Sequence, residues 1–155
     1  MEDRFDAGGL TVLLVAARFN GHVVDHMVES ARGCLLEHGA AEDGVPVVRV
    51  PGAWELPQAV RLAALSRRFD AVIALGCVIR GETPHFEYIC AEAARGLGAA
   101  ARESGVPVIF GVLTTDTEEQ AVERARADGQ DKGREAALAA LEMVEVARRL
   151  GDPSP

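Results

Sequence analysis

The chain has 155 residues, of which 48% are hydrophobic and 26% charged, and its formal net charge is −8. This length and composition predict one globular domain over residues 1–155. The acidic balance argues against nucleic acid or an anionic membrane as a partner, because both reward basic surfaces. The three cysteines form no close pair, which indicates neither a disulfide framework nor a zinc site. We therefore expect free thiols, no metal and a cytoplasmic location.

The two ends of the chain carry no predicted helix or strand. Residues 1–9 form a short, acidic N-terminal arm without the pattern of a signal peptide. Residues 151–155 are expected to form a disordered tail. Between these ends, no apolar run approaches the length of a membrane span.

Apolar segments rich in Val, Ile and Leu alternate with helical patterns along the chain. The predicted strands, all expected to be buried, span residues 10–17, 45–50, 71–78 and 106–113. The predicted helices span residues 23–38, 56–67, 86–103, 117–127 and 132–150. Continuous apolar strands are typical of a parallel sheet that is covered on both faces. The alternating order predicts a three-layer α/β fold with right-handed crossovers.

Two of the helix starts carry capping signals. Thr83 can cap the helix that follows it, with Pro84 at the first helical position, where a missing N–H is tolerated. Residues 116–119 resemble a capping box with acidic residues in the first turn. Both starts follow a predicted strand directly, so they lie where such a fold binds its ligands.

The turn after the third strand is the strongest candidate site. It places His85 in the first turn of a helix, where free backbone N–H groups and the helix dipole favour phosphate. A histidine there can move protons near neutral pH, although a lone histidine is as often structural. His22 and His26 lie one helical turn apart but lack a third ligand, so a surface role suits them better than a metal site.

Other strand exits carry aromatic and charged side chains. Phe19 and Trp54 lie in loops, where they could stack on a planar ligand or cover a sheet edge or a subunit contact. Glu55 could accept hydrogen bonds from a ligand or only stabilise a helix start. Phe110 lies within a strand, which favours core packing. Arg124 and Lys132 fit a solvated helix face or, together with the Thr83 turn, a phosphate site. The sequence contains no dinucleotide-binding, P-loop or nucleophile-elbow motif.

Four segments in order resemble the motifs of the 6,7-dimethyl-8-ribityllumazine synthase family, over residues 10–150. They are residues 17–20 (ARFN), 50–57 (VPGAWELP), 74–86 (ALGCVIRGETPHF) and 107–115 (PVIFGVLTT). The family condenses 5-amino-6-(D-ribitylamino)uracil with 3,4-dihydroxy-2-butanone 4-phosphate and releases phosphate and water, in the penultimate step of riboflavin biosynthesis. The resemblance implies a transferase without metal or organic cofactor, in a three-layer α/β/α sandwich with a four-stranded parallel sheet and flavodoxin-like topology.

The resemblance also implies roles for single residues. Phe19 would stack on the pyrimidine ring with Asn20 nearby, and His85 would shuttle protons. Residues lining the ribityl chain, the uracil edge and the ring pocket would be Ala53, Trp54, Glu55, Cys77, Val78 and Ile79. Glu82 and Thr83 would meet the phosphate, mostly through backbone amides and the Thr83 hydroxyl. The neighbouring subunit would contribute Phe110 and Arg124, with Arg124 pairing with the phosphate, and Lys132 would lie near that site.

The same resemblance implies a homo-oligomer with active sites at subunit interfaces. The minimum assembly is a pentamer. The resemblance also implies a possible icosahedral capsid of pentamers and an association with riboflavin synthase. Residues 124–133 lack the Arg-Ala-Gly and Gly-Asn-Lys-Gly patterns common in the family, and the short N-terminal arm limits strand exchange. The alternatives are a weakly active paralogue that binds flavin-like ligands or forms shells, and a related enzyme acting on pteridine-like compounds, such as an archaeal-type riboflavin synthase.

Overall fold

The computed structural model describes residues 5–151 of the chain. The outer part of the predicted arm, residues 1–4, and residues 152–155 of the predicted tail lie outside this range. Gly151, which the sequence assigns to the tail, is the last residue of the final helix. No helix within the described residues is long and apolar enough to cross a membrane.

Four strands form one parallel sheet, as the apolar segments predict. They are β1 (Val12–Ala17), β2 (Val47–Val50), β3 (Ala71–Ile79) and β4 (Val108–Thr115). The strand order is β2-β1-β3-β4, and each neighbouring pair is parallel. All four strands therefore end at the same edge of the sheet, and β1 and β3 lie at its centre.

Helices cover both faces of the sheet and complete the predicted three layers. They are α1 (Gly21–Glu37), α2 (Leu56–Leu65), α3 (His85–Ser104), α4 (Glu118–Ala125) and α5 (Lys132–Gly151). One buried cluster joins α1, α4 and α5 to alternate side chains of β1 and β3. A second cluster joins α2 and α3 to the side chains on the opposite face of the same strands. The fold is thus an α/β/α sandwich with flavodoxin-like strand order.

The two outer strands are less buried than the sequence predicts. In β2 only Val50 is buried, while Val47, Val48 and Arg49 are exposed. In β4, the side chain of Phe110 is 49% exposed, so the prediction of core packing for this residue is wrong. The reason is position: an outer strand has a neighbour on one side only, and the helices cover the centre of the sheet first.

The two capping predictions have different outcomes. At α4 a capping box is present, but one residue later than residues 116–119 predict: Gln120 N donates to Thr117 Oγ1 at 3.1 Å, and Thr117 N donates to Gln120 Oε1 at 3.2 Å. At α3 the N-cap residue is Pro84, and no side chain caps this helix start. The predicted Thr83 cap is therefore wrong, because Thr83 lies one residue before the capping position.

Candidate active site

The exits of β1, β2 and β3 surround one cavity of about 440 Å³, a size typical of small-molecule sites. It brings together the predicted residues Phe19, Ala53, Trp54, Glu55, Cys77, Val78, Ile79, Thr83 and His85. Two predicted residues, Asn20 and Glu82, do not line it. Phe86 and Ile89, to which the sequence assigned no role, line it with Gly52 and Gly81. Helical spacing could have indicated that Phe86 and Ile89 line the cavity, because positions 85, 86 and 89 share one face of α3.

The β1 exit presents Phe19 on a loop that is tied down on two sides. Arg18 N donates to Val50 O at 2.8 Å, and Phe19 N donates to Pro51 O at 2.9 Å, so the loop follows the end of β2. Asn20 has a left-handed backbone, with φ of 59°, and its Nδ2 donates to Cys77 O at 2.9 Å. Phe19 itself is 71% exposed, which leaves a ring face free for stacking.

The β2 exit forms a tight turn that directs Trp54 and Glu55 to the cavity. Gly52 is extended, and a short 3₁₀ turn over Ala53–Glu55 leads directly into α2. A Cβ placed on Gly52 would lie 3.4 Å from Glu55 Oε1 and 3.9 Å from Phe19 Cβ. A side chain at position 52 would therefore touch both the Glu55 carboxylate and the Cβ of Phe19. Trp54 is 53% exposed beside them.

The end of β3 supplies the apolar floor of the cavity. Cys77 is buried there, and burial together with the nearby negative charge of Glu118 raises the pKa of its thiol to about 11. The thiol is therefore protonated at neutral pH and is no nucleophile. Val78 and Ile79 are half-buried and continue the same wall.

The turn after β3 places exposed backbone beside an exposed histidine. Residues 81–84 are exposed, and His85 is the first residue of α3. The first amides of a helix lack partners within the helix, and the dipole makes that end attractive to an anion. Thr83 and His85 line the same cavity, so an anion held by the turn would lie next to the imidazole.

The remaining predicted residues meet at a second cavity, of about 370 Å³, beside the outer strand β4. Phe110, Arg124 and Lys132 line it, and it shares no lining residue with the first cavity. Arg124 Nη1 donates to Gln120 O at 3.0 Å, and Arg124 forms no salt bridge with a carboxylate of residues 5–151. Lys132 Nζ lies 3.0 Å from Glu135 Oε2. The two groups of predicted residues are thus separate within one chain.

Other candidate sites have structural explanations. His22 pairs with Glu118, which joins the starts of α1 and α4. Within the described range, no group of three His, Cys, Asp or Glu side chains could hold a metal ion. None of Cys34, Cys77 and Cys90 takes part in a disulfide within the described residues.

Comparison with known proteins gives the family of the chain. The sequence profile described as 6,7-dimethyl-8-ribityllumazine synthase matches residues 9–148. A protein of that name from Chlorobaculum tepidum is 46% identical over 150 residues, which cover 97% of each chain. The chain therefore belongs to the 6,7-dimethyl-8-ribityllumazine synthase family, the transferases that act in riboflavin biosynthesis.

Proposed function

We propose that the chain condenses 5-amino-6-(D-ribitylamino)uracil with 3,4-dihydroxy-2-butanone 4-phosphate in a site that two neighbouring subunits complete. The product is 6,7-dimethyl-8-ribityllumazine, with release of phosphate and water. The observation that carries this proposal is the separation of two groups of residues that the reaction needs together. His85 lies in the first cavity, whereas Arg124 lies in the second.

The first cavity suits the ribitylaminouracil. The exposed ring of Phe19 offers a stacking surface for the pyrimidine. The end of β3 forms the apolar floor of the same cavity. Glu55, half-buried at the start of α2, can accept hydrogen bonds from ribityl hydroxyls, with Ala53 and Trp54 beside it. Cys77, as a neutral thiol, adds packing without charge.

His85 is the group placed to move protons. An imine must form between the uracil amine and the ketone with loss of water, phosphate must leave, and a ring must close with loss of a second water. Each step transfers protons, and a positioned base typically contributes about 10²–10⁴-fold to such a reaction. The imidazole lies one residue beyond Pro84, next to the turn that would hold the phosphate, so it can reach both the imine and the leaving group.

The phosphate would be bound from both subunits. The amides and the Thr83 hydroxyl at the start of α3 supply one side, and Arg124 and Lys132 of the neighbour supply positive charge on the other. Arg124 keeps most of its N–H groups available, since its one hydrogen bond within residues 5–151 is to Gln120 O. A guanidinium can bind phosphate through two parallel hydrogen bonds.

The assembly we propose is a homopentamer or a larger assembly of pentamers. Cyclic contacts are heterologous, so each subunit presents one surface to one neighbour and a different surface to the other. The exposed Phe110 on the outer strand β4 would lie against the first cavity of the next subunit. We also place the enzyme in the cytoplasm, where the three free thiols would stay reduced.

The first experiment is a lumazine assay followed by subunit mixing. Purified protein is combined with both substrates, and formation of the fluorescent lumazine is compared with a no-enzyme control. Then His85→Ala and Arg124→Ala chains are co-expressed with different tags and purified as mixed oligomers. If His85 and Arg124 come from different chains, about one quarter of the sites are wild type.

The outcomes separate the parts of the proposal. Recovered activity in mixed oligomers, with each variant weak alone, supports a shared site. Mixed oligomers that stay as weak as the parents would place both residues in a site of a single chain. A wild-type protein that binds lumazine but does not accelerate its formation would contradict catalysis and favour a binding or shell-forming protein.

A further inference from the structure

Arg80, the residue that follows β3, connects three parts of the molecule. Its Nε donates to Asp116 Oδ1 at 2.8 Å, just after the end of β4. Its Nη1 donates to Glu87 Oε1 at 3.4 Å, in the first turn of α3. Its guanidinium also lies over the ring of Phe86, 4.6 Å from the centroid. The backbone of Arg80 continues the sheet, because Arg80 N donates to Thr115 O at 2.8 Å.

These contacts connect the two ends of the turn that carries Thr83. Arg80 lies before the turn, while Phe86 and Glu87 lie after it, so the side chain spans residues 81–85. Within the described residues, no side chain caps the start of α3, and Glu82 and Thr83 make no side-chain hydrogen bond. The turn is exposed, and a backbone hydrogen bond at its end runs from Glu87 N to Pro84 O at 2.9 Å. The Arg80 side chain is thus the main side-chain restraint on its geometry.

From this arrangement we propose that Arg80 is a positioning residue for the reaction: anchored on Asp116, it holds the phosphate-binding turn and the start of α3 in place. The inference rests on the proposed function of that turn. Arg80 acts through Phe86, which lines the cavity beside His85, and through Glu87 on the same helical turn. Two carboxylates and a ring contact its guanidinium, and Arg80 does not line the cavity, so it acts on the turn and not on the substrate.

The role should appear as a selective effect on one substrate. A turn that is free to move would bind the phosphorylated ketone poorly, while Phe19, Trp54 and Glu55 would still bind the uracil. Misplacement by about 1 Å can cost about 10²-fold in rate. An exposed restraint should cost less, so we expect Arg80→Met to raise KM for the ketone phosphate by about 10-fold. KM for the uracil should change by no more than about 2-fold.

A matched control comes from another exposed arginine. Arg61 Nε bonds to Glu103 Oε2 at the same 2.8 Å but lines neither cavity. Arg61→Met should therefore leave both KM values unchanged. Arg80→Lys keeps the charge without the planar fork and should resemble Arg80→Met. Asp116→Asn should shift KM in the same direction, and the Arg80→Met, Asp116→Asn double variant should be no worse than Arg80→Met, because the two act as one unit.

A second measurement needs no substrate. Amide hydrogen exchange of residues 81–88 should be faster in Arg80→Met than in wild type and Arg61→Met, with equal thermal midpoints. Unchanged exchange, or equal KM changes for both substrates, would overturn the positioning role. A lower ketone KM in Asp116→Asn would show instead that a released Arg80 binds phosphate directly. If the wild type makes no lumazine, the proposed function fails, while the exchange data still decide whether Arg80 holds the turn.

Discussion

His85 combines exposure with a fixed backbone position at the start of α3. We predict that His85→Ala slows turnover without abolishing it. Proton transfer contributes about 10²–10⁴-fold, whereas bringing two substrates together can contribute up to ~7–11 kcal/mol and needs no imidazole. The check is kcat for lumazine formation at saturating concentrations of both substrates. An unchanged kcat would remove His85 from the mechanism, and a rate equal to the uncatalysed reaction would show that it also organises binding.

Cys77 allows a prediction about pH. Burial and Glu118 raise the pKa of this thiol from 9.0 to about 11, so the unfolded chain loses the proton at lower pH than the folded chain. The protonated thiol therefore leaves the free energy of unfolding at its full value below pH 9, and this free energy falls as pH rises from 9 toward 11. Iodoacetamide should modify Cys77 slowly at pH 8, with a rate rising about tenfold per pH unit. Mass spectrometry of the labelled peptide checks this, with Cys77→Ala as the blank; fast labelling at pH 8 would contradict it.

The strands and helices were largely predictable because their apolar patterns are strong. The four strands and five helices occur in the predicted order, and a capping box occurs at α4 between Thr117 and Gln120, one residue beyond the predicted residues 116–119. Burial was less predictable. Val47 and Val48 in β2 have the same residue types as the central strands but are exposed, because apolar composition does not say which strand lies at the edge.

The crossing of α1 and α5 depends on a residue without a side chain. A Cβ on Gly133 would lie 2.4 Å from Met27 O, so the two backbones approach too closely for alanine. We predict that Gly133→Ala destabilises the fold by about 1–3 kcal/mol, because the helices must move apart. Gly33 in α1 has open space around its Cβ position and serves as the control. Gly33→Ala should stabilise by about 0.5–1 kcal/mol through better helix propensity.

Urea unfolding of both variants measures the difference. Equal midpoints for Gly133→Ala and wild type would show that α5 can shift without cost. A large destabilisation by Gly33→Ala would mean that α1 contacts another subunit at that position.

The candidate site was predictable only in part, because the residues predicted for it lie in two separate cavities of one chain. Phe19, Glu55 and His85 meet in one cavity since parallel strands end at the same edge of the sheet. Arg124 and Lys132 belong to a different cavity, and no pattern along one sequence gives their distance to His85 in an assembly. The turn after β3 is a further example of a feature that the sequence predicts only in part. The sequence predicts that Thr83 caps α3, whereas the proposed restraint on this turn comes from Arg80, which bonds to Asp116.

The exposed apolar residues at the two cavities fit the proposed association of subunits. Phe19 and Phe110 would both be covered if β4 of one subunit packed against the first cavity of the next. Burying a Phe side chain is worth about 1.5–3 kcal/mol, so one charged substitution at that contact should weaken the assembly strongly. We predict that Phe110→Asp lowers the oligomer mass and the lumazine synthase activity together. Wild type should have a mass of about five 16.4-kDa chains or a multiple of that.

The control is Leu150→Asp, which changes a residue that is 83% exposed in the last turn of α5 and lines neither cavity. It should keep both the assembly and the activity, because its side chain borders no part of the proposed site. Light scattering after size exclusion gives the mass, and far-UV circular dichroism shows whether the variants fold. A folded Phe110→Asp monomer with wild-type kcat would mean that one chain suffices for catalysis. Since Arg124 and His85 would then act from separate cavities of the same chain, the two-subunit site would have to be abandoned.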